Sequence, residues 1–407
     1  MSNAGTFPAR RGIGLSRQTT LGLLGLLAAA AVAYFYGGFS FPLAVFWVFG
    51  LGFGFVLQRS RFCFASAFRD LYLLQDGRVI KGIVAGMAVA TIGFALVMYK
   101  ASPDMSKIPG GVTPLGIHTL LGGLLFGLGM VLAGGCASGS LYRMGEGYVG
   151  SWLALGGMFL GMFALALNWD WWWTTVINMA PKFWLPKSLG WGGAILLNLL
   201  ALTLAYLAVL WWESRGGGIY PQVVAELPPL AFGQRVAALY RAVFTRAWPA
   251  VVGGVILGTL NTFEYLFAKP WGITTEVSRL AGWIAYGLGY QAQNLLYFAE
   301  QSPGFGLLKH VPWLSDGSLL NWGTIFGAFV AALLAGEFKL RLPGKPVRYG
   351  QSLVGGILMG YGSRLAIGCN IGAFFSAIPA LALNGWVFAL GLAIGSYLGV
   401  VVIKRLV

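Results

Sequence analysis

Residues 122–139 read GGLLFGLGMVLAGGCASG, and residues 355–372 read GGILMGYGSRLAIGCNIG. Aligned without a gap, the two stretches carry the same residue at ten of their eighteen positions. Each is a long apolar run that leads into a glycine and a cysteine, Cys136 in the first stretch and Cys369 in the second. The match predicts that the chain contains two copies of one structural unit.

The composition is that of an integral membrane protein. Of the 407 residues, 57% are hydrophobic and 10% are charged, and the mean hydropathy is +0.75. A soluble domain is about 25% charged. Apolar runs of about 20 residues recur along the chain, and each can cross a hydrocarbon core roughly 30 Å thick. The runs are continuous rather than alternating, which favours helices over a β-barrel.

The spacing of these runs predicts about ten spans and a division of the chain into four parts. Three apolar pieces, 62–74, 137–143 and 370–380, are too short to cross and are predicted to be re-entrant helices. The first long run lacks a clear signal-peptidase site, so we expect it to remain as an anchor. The parts are an N-terminal anchor span (1–40), a first repeat (41–168), an extra span with a basic cytoplasmic loop (169–246) and a second repeat (247–407).

Positive charge predicts the orientation. Basic residues collect at the N-terminus, in the loops 58–81 and 213–246, from Lys339 to Arg348, and at the C-terminus. All of them lie inside, as basic loops do, if segment 279–299 enters the membrane and returns; if it crosses, the last two groups lie outside. We therefore predict that it returns and that both termini are cytoplasmic. The two repeats then run in opposite directions, as in inverted-repeat transporters.

The chain has three cysteines, Cys63, Cys136 and Cys369, with no CxxC spacing, so neither a disulfide framework nor a metal site is predicted. A thiol is a soft, polarizable group that suits contact with a sulfur-containing solute. The glycines beside two of these cysteines, Gly135 and Gly368, leave backbone N–H groups open to the same solute. We predict that the three thiols line an hourglass-like pathway. The alternative is that they only fill space.

Charged and polar residues near the cysteines are further candidates. Arg364 precedes Cys369 near the end of a span, where a charge is costly unless it is paired. An anion would pair with it, although snorkelling or a carboxylate partner would also explain it. Asn370 could donate hydrogen bonds, as could Arg143 on the other repeat, and Arg61 could attract an anion to the inner mouth. The net charge of +15 is explained by orientation and anionic lipid rather than by nucleic acid.

Three segments together resemble a known family. LQRSRFCFASAFRD (57–70), the stretch 122–139 and GSRLAIGCNIGAFFSAIP (362–379) resemble the signature segments of the YeeE/YedE membrane proteins, a group that includes bacterial thiosulfate uptake proteins and candidate selenium transporters. The resemblance implies an hourglass-like protein of the bacterial inner membrane. It also implies thiosulfate uptake through central cysteines, no cofactor, and a small TusA-like cytoplasmic sulfur carrier as partner.

The matching thiols are Cys63, Cys136 and Cys369, and the hypothesis is a relay without a covalent step. The additional material around 169–246 brings the chain closer in length to the candidate selenium transporters, so a selenium compound is an alternative substrate. A membrane sulfurtransferase that keeps a persulfide on Cys63 or Cys136 is the rival reading, but no enzyme motif accompanies the thiols. A transporter, and not an enzyme, is expected.

Overall fold

The computed structural model describes residues 16–109, 111–215, 240–299, 307 and 311–406. In these ranges the chain is helical and contains no strand, only two isolated backbone bridges. Arg235, which was assigned to the basic loop 213–246, lies outside them. The α-helices of these ranges, in chain order, are α1 (Arg17–Phe39), α2 (Phe41–Ser60), α3 (Phe64–Leu74), α4 (Arg78–Ala101), α5 (Ile117–Ala133), α6 (Ala137–Gly145), α7 (Val149–Leu167), α8 (Trp169–Trp172), α9 (Leu185–Ser214), α10 (Ala250–Phe267), α11 (Thr274–Gly287), α12 (Asp316–Leu334), α13 (Val347–Leu365) and α14 (Leu383–Leu406).

Nine helical segments of the described chain are long and apolar enough to cross a membrane. Helix α13 has the length of a span but contains Arg348 and Arg364, and it packs between α5 and α7 inside the same bundle. These observations confirm an all-α, multi-pass membrane protein with about ten spans. The short pieces predicted from the sequence correspond to α3, to α6 and to a π-helical segment, Asn370–Ser376.

The predicted segment 279–299 is not one helix. Helix α11 has 14 residues and ends at Gly287, and short turns follow it as far as Phe298. At 1.5 Å per residue, such a helix reaches only about 21 Å, too little to cross the hydrocarbon core. This agrees with the choice of a segment that does not cross.

The basic loops lie on one face of the bundle. Arg59, at the end of α2, forms a 2.6 Å salt bridge with Glu337 after α12, and its guanidinium also donates to the Phe244 carbonyl before α10 at 2.7 Å. Gln18, at the start of α1, donates to the Phe338 carbonyl at 3.0 Å. We call this side the basic face. Because α2 ends at it and α10 begins at it, these two helices run in opposite directions.

The helices of the two predicted repeats exchange packing partners. Helix α2 packs on α12 and α4 packs on α10; likewise α5 packs on α14 and α13 packs on α7. Each contact joins one helix from each predicted repeat. If every helix is replaced by its counterpart in the other repeat, the contact of α2 with α12 becomes that of α10 with α4, and the contact of α5 with α14 becomes that of α13 with α7. Helices α5 and α13, which hold the repeated sequence, pack on each other at the centre.

Glycines set the distance between α5 and α13. A Cβ atom built on Gly122 would lie 2.7 Å from the Gly362 carbonyl oxygen, and one built on Gly129 would lie 2.5 Å from that of Gly355. Small residues allow such close backbone approach between membrane helices. The alignment matches Gly122 with Gly355 and Gly129 with Gly362, so each contact is the image of the other. This packing favours the prediction of inverted repeats.

The second copy contains one extra residue. A Cβ atom on Gly127 would meet the Leu392 carbonyl oxygen at 2.4 Å, and one on its counterpart Gly360 would meet that of Met158 at 2.3 Å. Met158 therefore corresponds to Leu392, a shift of 234 residues rather than the 233 that separate Cys136 and Cys369. The π-helical segment Asn370–Ser376 lies in this interval. A π-helix accommodates an added residue and is frequent at functional sites.

We predict that Gly127→Ala and Gly360→Ala each destabilise the protein. The added methyl group would overlap a carbonyl oxygen of the neighbouring helix, and overpacking of this kind costs about 1–3 kcal/mol. Thermal unfolding of the purified protein in detergent measures the effect. Gly156→Ala is the matched control, because nothing lies within 4 Å of a Cβ atom at that position. Equal unfolding temperatures for all three variants would contradict the proposed contacts.

Candidate functional site

Each of the three cysteines precedes a short helix. Cys63 is the N-cap residue of α3, Cys136 that of α6 and Cys369 that of the π-helical segment. All three thiols are fully buried and belong to one continuous hydrophobic core. Helix N-termini carry unpaired N–H groups and a partial positive charge. The three sulfur atoms are therefore placed where a buried anion would be stabilised.

Two of the thiols cap the helices that follow them. The Cys136 sulfur accepts a hydrogen bond from the Gly139 N–H at 3.2 Å, and the Cys369 sulfur accepts one from the Ile371 N–H at 3.4 Å. Capping explains these cysteines structurally, since a side-chain acceptor satisfies an N–H group that the helix leaves unpaired. It uses a sulfur lone pair only, so capping by itself does not occupy the S–H group.

The breaks before these two cysteines have the same backbone conformation. Gly134 has a φ angle of 71°, and its counterpart Ile367 has a φ angle of 56°. The left-handed region suits glycine but is unfavourable for a β-branched residue. Strain of this kind collects at functional sites. The residue that turns the chain before Cys136 is therefore Gly134.

Cys63 and Cys136 form a pair. Their thiols lie close enough to interact with each other. Both lie against Gly139, where an added Cβ atom would be 2.8 Å from the Cys63 sulfur and 3.1 Å from the Cys136 sulfur. At the counterpart, Gly372, an added Cβ atom would have nothing within 4 Å. The two copies thus differ: one holds a tight thiol pair and the other a single thiol beside open space.

The second copy has no cysteine at the position of Cys63. Helix α3 begins directly after Cys63, whereas α11 begins directly after Ile273. By position at the helix start, Ile273 therefore stands where the first copy has its cysteine. An apolar side chain there explains why the second copy lacks a thiol pair.

Asn370 is the predicted site residue with the clearest need for a ligand. It is fully buried beside Cys369, and neither its amide oxygen nor its amide nitrogen has a hydrogen-bond partner. An unpaired buried amide is costly, which favours a site that a polar solute completes. Gly368 has a packing explanation, because a Cβ atom there would lie 2.8 Å from the Ala373 nitrogen. A Cβ atom on Gly135 would make only an ordinary contact with Ser140.

Arg364 is buried and does not snorkel. Its Nε donates to the Tyr297 hydroxyl, and its Nη1 donates to the Thr275 hydroxyl at 3.3 Å. Its guanidinium carbon lies 5.7 Å from the centre of the Tyr297 ring. Thr275 belongs to the first turn of α11, the counterpart of α3. The arginine is therefore held at the start of the second re-entrant helix, and hydroxyl groups occupy part of its donor set.

A polar cavity of about 670 Å³ opens at the basic face. Arg61 lines it, is 68% exposed, and forms a 3.3 Å ion pair with Glu337. Four cationic side chains border the cavity against two carboxylates, so it favours anions. The cationic residues are Arg61, Arg143, Lys339 and Arg341.

Two carboxylates at this cavity have opposite pKa shifts. Burial raises the pKa of Glu146, which accepts a 3.0 Å hydrogen bond from Gln58. Burial also acts on Glu337, but the charges of Arg59 and Arg61 and the hydrogen bonds from Gln58 and Arg59 together outweigh it and hold the pKa of that carboxyl below its ordinary value. Glu337 thus remains charged at neutral pH and ties Arg59 and Arg61 together.

Arg143 connects this cavity with the thiol pair, a role that its weak prediction from sequence understated. Its guanidinium donates to the Gly134 carbonyl in the break before Cys136, and its charge acts on Cys63. The signal in the sequence is its spacing, since seven residues after Cys136 correspond to two helical turns on the same side of α6. Arg143 thus places a cationic side chain between the buried thiols and the open cationic cavity.

Comparison with known proteins agrees with this geometry. A family model described as sulphur transport matches residues 59–398. The chain belongs to the sulphur-transport family. The thiosulfate transporter TsuA of Spirochaeta thermophila is 34% identical over 358 residues, covering 86% of this chain and 95% of that protein.

Other relatives in this family are also named as transporters. TsuA of Escherichia coli is 29% identical over 336 residues, which are 82% of this chain and 87% of that protein. The probable transporter YedE of Escherichia coli is 37% identical over 169 residues, 41% of this chain and 40% of that protein. The matches confirm the YeeE/YedE resemblance and the prediction of a transporter rather than an enzyme.

We predict that Gly139→Ala disrupts the thiol pair of this family member while Gly372→Ala, its repeat counterpart, is tolerated. The first substitution forces two sulfur atoms and a methyl group into one space, at a cost of about 1–3 kcal/mol. Thermal unfolding and crosslinking of Cys63 to Cys136 with dibromobimane report the two effects. The pairing would be refuted if both alanine variants crosslinked as well as the wild type.

Proposed function

We propose that this sulphur-transport protein imports thiosulfate, or a closely related sulfur anion, across the bacterial inner membrane. The observation that carries the proposal is the position of three buried thiols at the N-termini of three short helices within one core. Two relatives are named thiosulfate transporters, and this chain aligns with 95% and 87% of their lengths. The positions of the thiols and the names of these relatives together support a sulfur anion as the substrate.

The chemistry of the site suits a dianion with a soft terminal sulfur. An S–H group can donate to that sulfur, and helix N–H groups and the Asn370 amide can donate to the oxygens. The partial positive charge at the helix starts offsets part of the dianion's desolvation. The thiols must remain neutral, because a thiolate would repel the solute. No covalent bond needs to form.

The proposed path begins at Cys369, with Asn370 and Arg364 near it. It crosses a waist of aromatic rings, in which Phe64 contacts Phe375 at 5.6 Å and Phe374 at 6.2 Å between ring centres. Phe64 directly follows Cys63, so the solute passes from the second copy to the first within this cluster. These rings close the waist in the present conformation and must move for passage.

Beyond the waist, the thiosulfate meets the Cys63 and Cys136 pair and then Arg143, which leads to the polar cavity. The basic face is assigned to the cytoplasm because basic loops remain inside. Both termini are then cytoplasmic, and Cys369 receives the anion from outside. A TusA-like sulfur carrier would take over the solute at the polar cavity. Arg61, on the rim of this cavity, attracts the anion there.

A second candidate function is a membrane sulfurtransferase. The observation that favours it is the close pair of thiols against Gly139, since one thiolate could attack the outer sulfur of thiosulfate, release sulfite and keep that sulfur as a persulfide. Intact-protein mass spectrometry after turnover distinguishes the functions: a persistent added sulfur supports the enzyme, and an unchanged mass supports passage. A selenium compound as substrate is tested by competition against labelled thiosulfate uptake.

We predict that Cys136→Ser and Cys369→Ser each reduce thiosulfate uptake, because a hydroxyl group lacks the soft, polarizable sulfur that suits contact with the terminal sulfur of thiosulfate. A serine hydroxyl can still accept the N–H group that the sulfur caps, so the folded structure should persist. Uptake of radiolabelled thiosulfate into proteoliposomes measures transport, and thermal unfolding measures the fold.

Alanine at the same positions is the matched comparison. Cys136→Ala and Cys369→Ala remove the cap as well, so they should lose about 1 kcal/mol of stability in addition to uptake. If the serine variants transport at the wild-type rate while the alanine variants do not, the thiols act only as caps. That result would contradict the relay.

A further inference from the structure

Helix α10 carries a carboxylate that the proposed path does not use. Glu264 is fully buried, and neither of its oxygens has a hydrogen-bond partner. Glu276, another buried glutamate of this chain, is different: its carboxylate pairs with Arg279 at 3.0 Å and accepts from Ser315 at 2.7 Å. An ionised carboxylate without a partner is very costly in an apolar interior, whereas a protonated one is much less so. Glu264 is therefore placed to hold a proton.

The charged surroundings of Glu264 lie on the side away from the basic face. Helix α10 packs against α2 and α4. The charges that act on Glu264 are those of Lys269, just after α10, and Asp316, at the start of α12. These two form a 2.8 Å ion pair at the surface, where 47% and 37% of their side chains are exposed. Lys100, at the end of α4, is exposed. Glu264 thus lies within electrostatic reach of an ion pair at the surface.

Hydrogen bonds connect the same helix to the Cys369 segment. Asn261, one turn before Glu264, accepts from the Trp271 N–H at 2.8 Å and donates to the Ser376 hydroxyl at 3.1 Å. Ser376 in turn donates to the Trp271 carbonyl at 2.9 Å, and it is the last residue of the π-helical segment that Cys369 caps. A change in the charge of Glu264 therefore acts one helical turn from the contacts that position this segment.

Accumulation of the imported anion against the membrane potential needs a compensating cation. At 100 mV, inside negative, a dianion that crosses alone equilibrates at an inside concentration on the order of a thousandfold below the outside concentration. Each proton that enters with it removes one negative charge from the transfer. One titratable group in the membrane close to the path is enough to carry protons singly.

We infer that Glu264 is a proton-binding site that couples thiosulfate entry to proton entry. This rests on the proposed function. A proton from the outer side forms an O–H bond on the Glu264 carboxylate, and its release toward the cytoplasm restores the carboxylate, with no oxidation or reduction. Glu264 is in its neutral, protonated form while the dianion passes through the waist.

The test uses the full chain in proteoliposomes with the membrane potential clamped by potassium and valinomycin. An outside-acid gradient should increase wild-type uptake of radiolabelled thiosulfate by up to about tenfold per pH unit for one coupled proton. Glu264→Gln, a neutral isostere, should still exchange internal for external thiosulfate, but its uptake should be the same with and without the gradient. Asp104→Asn, in an exposed loop, is the control and should respond as the wild type does.

Each remaining outcome decides against the inference. Wild-type uptake that ignores the pH gradient, uptake driven by a sodium gradient instead, or a gradient response that persists in Glu264→Gln overturns proton coupling and leaves thiosulfate import standing. No thiosulfate uptake by the wild type under any gradient overturns both proposals.

If Glu264→Gln does not fold, Glu264→Asp should retain the response at a reduced rate. Infrared spectra of the wild type should contain a protonated carboxyl band, and its absence overturns the inference.

Discussion

Backbone contact between α5 and α13 through facing glycines is the constraint on which the rest of the structure depends. Membrane helices gain little from apolar burial against each other, so close packing of small residues must hold them together. Here Gly122 and Gly129 touch the backbone of Gly362 and Gly355. Each helix ends beside a turn of the other. The irregular backbone after each helix is thus shielded from lipid, the only condition under which it is tolerated at membrane depth.

Within those shielded breaks, the thiols have two uses that do not exclude each other. Sulfur caps a helix at Cys136 and at Cys369, which satisfies N–H groups that no water would reach. The S–H groups then remain as weak donors along the interior. Only the first copy adds another thiol, Cys63, and it does so on the side of the cationic cavity. A solute moving along the thiols would meet increasing positive charge toward that cavity, through Arg143.

The sequence allowed the helical membrane fold to be predicted, because apolar length is a property of the chain itself; repetition and charge also predicted two copies and a common face for the basic loops, which the packing of the helices favours. Packing could not be read in the same way. Ile367 turns the chain where its counterpart is glycine, and one extra residue makes the second short helix a π-helix. Arg143 was underrated because its contact with Gly134 depends on the direction of α6. Asn370 was predicted as a donor, but only the coordinates show that its amide is unpaired.

Side-specific labelling of the three native cysteines tests the account most directly. A membrane-impermeant methanethiosulfonate reagent would be applied from either face of oriented vesicles, with and without saturating thiosulfate, and the modified residues would be identified by peptide mass spectrometry. The account predicts that Cys369 reacts from the face opposite the basic loops, that Cys63 and Cys136 react from the basic face, and that thiosulfate protects all three. Labelling of all three from one face, or labelling that thiosulfate does not slow, would contradict a shared pathway.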